Sequence, residues 1–250
     1  MSLEKSAKPL KEILGAALDR MAKEGYPIRS KVRLLVDPNL SFMGYAKEVD
    51  GAQHVVISSW ALHSDMLEGL LLHELAHIYH TERGSPSHRP KNTTALISES
   101  ARREGLSGRE TGYLVESFSH LQNILVDDIV FAAMSEREKE QAKTFFAGWI
   151  TDEASGYQLA DSAGLVRNAF ATASLKRHGL YDGGGEMAAR SSKLNRALGR
   201  EAQTKFAALE AFLVQADAGW TQEDFDRNLA SYLDMLIGVL REKEQMEDLR

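Results

Sequence analysis

Five consecutive residues, His73-Glu74-Leu75-Ala76-His77, set two imidazoles and a carboxylate at a spacing that suits shared chemistry. Four residues advance an α-helix by about one turn, so both imidazoles project from one face and can share one ion. Neutral imidazole suits Zn²⁺, and a site with three protein ligands leaves a fourth position for water. Glu74 is offset from His73 by about 100° and can reach that water. Zinc lowers the pKa of such a water toward ~7, and the carboxylate can then take its proton. With eight histidines in 250 residues, chance supplies only about 0.02 such pentads. Leu67, Leu70, Leu71, Leu75 and Ile78 make the surrounding helix mostly apolar. Burying two histidines and a glutamate there is costly unless something organises them, and a cation does so best.

The elements that must position this pentad are legible in the periodicity. Leu10, Ile13, Leu14, Ala17, Leu18 and Met21 form one helical face, which Gly25 and Pro27 terminate. Strands are expected at Lys31 to Val36, near Leu40 to Glu48, and at His54 to Ser59, the last two joined by an Asp50-Gly51 hairpin turn. The pentad helix is expected over Asp65 to Tyr79, capped by Ser64. Glu82 to Asn92, with two prolines and a glycine, reads as a loop. Helices follow at about Gly108 to Met134, Glu136 to Trp149, Asp161 to Arg177, Met187 to Ala216 and Gln222 to Glu247. The last two read as a hairpin after the Gly183-Gly184-Gly185 linker. The expected organisation is a domain over residues 1–180 and a helical hairpin subdomain over 186–250. The fold class is α+β, with a small twisted sheet and a largely helical C-terminal half.

This arrangement resembles the zincin metallopeptidases, in which a small twisted sheet precedes the HExxH helix and a later helix gives the third ligand. The resemblance spans Lys31 to about Met134. It implies a zinc cofactor and hydrolysis of a peptide or protein substrate by a metal-activated water, with Glu74 as general base. The metzincin extension is absent, since its glycine position is His80 and its third-histidine position Arg83. Where glutamate-type zincins carry ExxxD, this chain has Asn123-Ile124-Leu125-Val126-Asp127, which looks like the N-x-x-x-D of an intracellular branch.

Helix geometry places Glu116, His120, Asn123 and Asp127 within roughly 60° of one another, a polar stripe on an otherwise apolar helix. Asp127 is the favoured third ligand, with Asp128, Glu116 and His120 as alternatives. Asn123, a poor zinc ligand, suits a hydrogen-bonding role beside one. The resemblance further implies that a substrate strand adds to the sheet edge at Phe42 to Ala46, with Met43, Gly44 and Tyr45 at its centre. It also implies a transition-state stabiliser from beyond the third-ligand helix, with Tyr157 and His178 the main candidates and Arg177 and Tyr181 behind them. His80 reads as an end-of-helix residue and His88 as a surface residue of the Pro-containing loop.

Composition excludes other classes. No cysteine is present, which removes disulfides, thiolate metal sites and cysteine nucleophiles. Thirty basic against 36 acidic side chains give a net charge of −6, unlike a nucleic-acid binder. The most apolar stretch, Met66 to Tyr79, is broken by Glu68, His73, Glu74 and His77 and cannot cross a bilayer unaided. Together with the charged start of the chain, this gives the expectation of a cytoplasmic protein without a membrane partner. Two rivals to the peptidase reading remain: a non-catalytic zincin-like module that binds metal or a partner, and a zinc hydrolase of a non-peptide amide.

Overall fold

A computed structural model describes residues 3–241, with side chains from residue 10 onward. It is α+β: the described residues form nine α-helices and one three-stranded sheet. Chain contacts divide it into two compact units, residues 1–88 with 126–142, and residues 89–125 with 143–250. This division differs from a cut near residue 180. The C-terminal helices belong with residues 89–125, and one long helix contributes to both units.

The first unit opens with α1 (Leu3–Lys23), followed by β1 (Val32–Asp37), β2 (Gly44–Val49) and β3 (Ala52–Ser58). Asp50 and Gly51 have φ of 51° and 73°, the left-handed pair that a two-residue hairpin turn requires. The sheet order is β1-β3-β2, with β1 parallel and β2 antiparallel to β3. Leu40 to Met43, expected in the second strand, instead lead into it, with Ser41 to Met43 forming a bend.

Helix α2 (Leu67–Glu82) carries the pentad and packs on β2, β3 and α1. It starts two residues later than expected. Ser64 accepts the Met66 N–H at 3.1 Å, while Met66 itself is the N-cap. Leu71, Leu72, Leu75 and Ala76 are fully buried against a core that includes Met21, Val55 and Ile57. Strand β2 approaches closely at Gly44, where an added Cβ would sit 2.9 Å from the Val56 carbonyl oxygen and 3.5 Å from Leu70. At its other end α2 is held by Glu82, whose carboxylate accepts the Arg29 and Ser30 backbone N–H groups and the Ser30 hydroxyl. Gly84, at φ 63°, reverses the chain into a 3₁₀ turn over Pro86–His88.

The unit is completed by the C-terminal part of α4 (Gly108–Ala133) and the start of α5 (Glu136–Trp149). Arg20 of α1 anchors that part of α4. Its guanidinium donates to the Ala133 carbonyl at 2.6 and 3.1 Å and forms paired bonds to Glu138 at 2.6 and 2.8 Å.

In the second unit, α3 (Pro90–Arg103) occupies a segment partly expected to be loop. Proline at its first turn is compatible with a helix start. Helix α6 (Gln158–Arg177) follows, and the single helix expected over Met187 to Ala216 is two, α7 (Gly185–Leu198) and α8 (Arg200–Gln215). They break at Gly199, whose φ of 109° no helix continues through. The last helix, α9 (Gln222–Leu240), ends before Glu247, which lies outside the described residues. Phe170, Phe225 and Tyr232 fill this unit's core, and the Tyr232 hydroxyl donates to Ser117 O at 3.0 Å.

Candidate metal centre

Helix α2 presents His73 and His77 half-buried, with Glu74 and His80 buried. The Nε2 atoms of His73 and His77 face each other at 3.2 Å. Two ligands about 2.0–2.1 Å from one ion at a tetrahedral angle would stand about 3.3–3.4 Å apart, so the pair already has the separation of two zinc ligands. Among the described residues, no group of three or more His, Asp or Glu side chains stands together as a metal-holding cluster.

Asp127 comes from α4, where it is 4% exposed, while Asp128 beside it is half-buried. Its Oδ1 lies 3.8 Å from Nδ1 of His73. The contact is longer than a hydrogen bond, yet it links the buried carboxylate to the back of a candidate ligand imidazole. A carboxylate on the Nδ1 side of an imidazole is the arrangement that orients histidines at metal sites. Burial pulls the His73 pKa down, but the interaction with Asp127 and the charge of Glu74 outweigh it and leave it above 6.5.

Burial lifts the Glu74 carboxyl above its usual range, against the opposing pull of His73 and of the Ala46 backbone N–H. The Ala46 contact follows from strand register. Ser58 N donates to Met43 O, so Met43 and, by alternation, Tyr45 and Lys47 turn their backbone groups toward β3. Gly44, Ala46 and Glu48 therefore turn theirs toward the open edge. Of the expected edge residues Met43, Gly44 and Tyr45, only Gly44 has backbone groups that face outward, and Ala46 joins it.

His88 is the residue that sequence reasoning placed wrongly. It is not a surface residue of a loop. Its Nε2 lies 2.9 Å from His77 Nδ1, its own Nδ1 lies 2.9 Å from Ser87 Oγ, and its ring stacks on His80 with centroids 4.9 Å apart. Burial and the neighbouring charges of His80 and His73 lower its pKa to about 3, so it stays neutral. His80, in turn, bonds Ser85 Oγ at 3.0 Å.

The remaining candidates belong to the second unit. His120 is a buried histidine stacked on Phe170 at 4.8 Å, with its pKa lowered to about 4 by burial and the charge of Arg167. Glu116 is exposed and Asn123 half-buried, so the polar stripe opens to solvent at its N-terminal end. Tyr157 is 77% exposed at the start of α6. His178 caps the end of α6, where Nδ1 donates to Ser174 O at 2.7 Å.

The chain belongs to a family of unknown function, DUF5781, whose profile matches residues 3–211. No curated protein and no solved structure matches it. No helix of the described residues is long and apolar enough to cross a membrane.

Proposed function

We propose that this protein is a zinc-dependent metallopeptidase of zincin type, with His73 and His77 as the imidazole ligands and Glu74 as general base. The observation that carries the reading is the 3.2 Å separation of the two Nε2 atoms on one face of α2, with a buried carboxylate one residue on. The donor set, two imidazoles with carboxylates nearby and no thiolate, suits Zn²⁺. When bound, the ion would polarise a peptide carbonyl and acidify a water molecule.

The chain's own groups then divide the work. Asp127 stands on the Nδ1 side of the His73 ring, where its charge favours the orientation that turns Nε2 to the ion and raises its basicity. Glu74 accepts the water proton, and burial suits it by making its carboxylate more basic. The outward amide and carbonyl groups of Gly44 and the outward carbonyl of Ala46 pair with an extended peptide, which adds as a further strand beside α2, while the Ala46 N–H serves the Glu74 carboxylate. That pairing brings a backbone carbonyl of the substrate toward the His73–His77 face and excludes bulk water from it.

The test is metal content. Purified full-length protein is expected to bind about one zinc per chain, and His73→Ala or His77→Ala to abolish binding and lower the melting temperature of zinc-treated samples. Full zinc content in either variant would refute the centre.

A further inference from the structure

We propose that His88 is a positioning residue for His77, fixing the tautomer in which Nδ1 carries the proton and Nε2 offers its lone pair. The proposal rests on the metal-centre reading and extends it to a residue outside the HExxH pentad.

The argument is one of donors and acceptors. A neutral imidazole has one N–H and one lone pair. For His77 Nε2 to serve as a ligand, its proton must sit on Nδ1, and Nδ1 has His88 Nε2 at 2.9 Å. His88 must then accept through Nε2 and carry its own proton on Nδ1. That atom is 2.9 Å from Ser87 Oγ, an oxygen able to accept it. The order His77 Nδ1–H to His88 Nε2, then His88 Nδ1–H to Ser87 Oγ, matches donor to acceptor at three ring nitrogens and leaves the lone pair of His77 Nε2 toward His73 Nε2, 3.2 Å away. The 15° stack of His80 on His88 fixes the plane of the ring, and His80 is itself tied to Ser85.

The local backbone is built to deliver this ring. Ser85 N donates to His80 O and His88 N to Ser85 O, so the chain leaving α2 folds back along it. Each imidazole of the pair thus has a polar group on its Nδ1 side, Asp127 at 3.8 Å from His73 and His88 at 2.9 Å from His77. A histidine there orients the ligand ring without adding a negative charge, which leaves Asp127 as the charged member of the two supports.

Two measurements on the full-length chain test this. The first is long-range proton–nitrogen NMR of histidine-labelled, metal-free protein, which reads each imidazole tautomer. His77 is expected as the Nδ1–H form in wild type and in His88→Gln, whose amide oxygen can reach the same proton, and as a mixture in His88→Ala. The second is zinc affinity by chelator competition. His88→Ala is expected to bind zinc about 10- to 100-fold more weakly, and His88→Gln to recover most of that loss. An Nε2–H tautomer of His77 in wild type would overturn the proposal, as would a His88→Ala protein with wild-type zinc affinity. Equal weakening in His88→Gln and His88→Ala would also overturn it, since a packing role alone predicts that result. Failure of the underlying metal reading shows separately, as a wild-type chain with no zinc affinity, and removes the role proposed for His88 with it.

Discussion

Removal of the Asp127 carboxylate should weaken the proposed metal centre without destroying it. In the structure Oδ1 stands 3.8 Å from His73 Nδ1, and the Asp127 side chain is 6% exposed against 27% for His73. At an effective dielectric of about 20, charges at that separation interact by about 4 kcal/mol, an upper bound because one partner is partly solvated. Carboxylates that support a ligand histidine are worth about 10- to 100-fold in metal affinity, or about 1.4–2.7 kcal/mol. Asp127→Ala should fall in that range, and Asp127→Asn, which keeps an acceptor but loses the charge, should fall short of it. The assay is zinc affinity by chelator competition, read beside His73→Ala. Zinc loss in Asp127→Ala as complete as in His73→Ala would show direct ligation and refute the supporting role, and wild-type affinity would refute any role. The metal-free protein offers a second readout. The folded-state pKa of His73 is raised, so its contribution is fully present below 6.5 and is lost as pH rises through the folded value. The stability difference between wild type and Asp127→Asn should therefore shrink as pH is raised above 6.5.

Other perturbations follow from the same geometry. Ala46→Pro removes the outward N–H that Glu74 accepts, so it should keep the sheet and zinc but lose peptide turnover through the freed general base, whereas Tyr45→Pro removes one that faces β3 and should unfold the hairpin; thermal melts beside zinc and peptidase assays separate them. Gly44→Ala drives a methyl group to 2.9 Å from the Val56 carbonyl oxygen and should destabilise by about 1–3 kcal/mol in urea titrations. Burial would raise the Glu138 pKa, but hydrogen bonds from Arg20 and Ser135 override it and hold it at about 2 instead of 4.5. That stabilisation is complete above pH 4.5 and is lost as pH falls toward 2, so Arg20→Met should flatten the acid limb of a stability–pH profile.

The parts of the fold visible in the sequence are those where local rules and packing agree. Asp50-Gly51 forms its turn because both residues accept positive φ, and the apolar face ending at Met21 is buried as its spacing requires. Helix α3 was hidden because its buried residues, Thr93, Ile97, Ser100 and Ala101, include two polar ones and make a thin stripe. The α7–α8 break was hidden because one glycine, Gly199, interrupts an otherwise helical pattern. At the candidate site, the grouping of His73, Glu74 and His77 on α2 is legible because a single helical turn relates them. The place of Asp127 depends on which side of the His73 ring α4 approaches, and no helical wheel of α4 alone contains that. His88 was unreadable for a related reason: a proline-containing 3₁₀ turn has no periodicity, and only the reversal at Gly84 brings it to His77.

The most direct test is cleavage of a mixed peptide library by zinc-loaded wild-type protein and by Glu74→Gln, with zinc content measured on the same samples. The predicted result is cleavage by wild type and a fall of ~10² or more in Glu74→Gln at unchanged zinc content. Equal cleavage by the two proteins, or none by zinc-loaded wild type, would contradict the assignment.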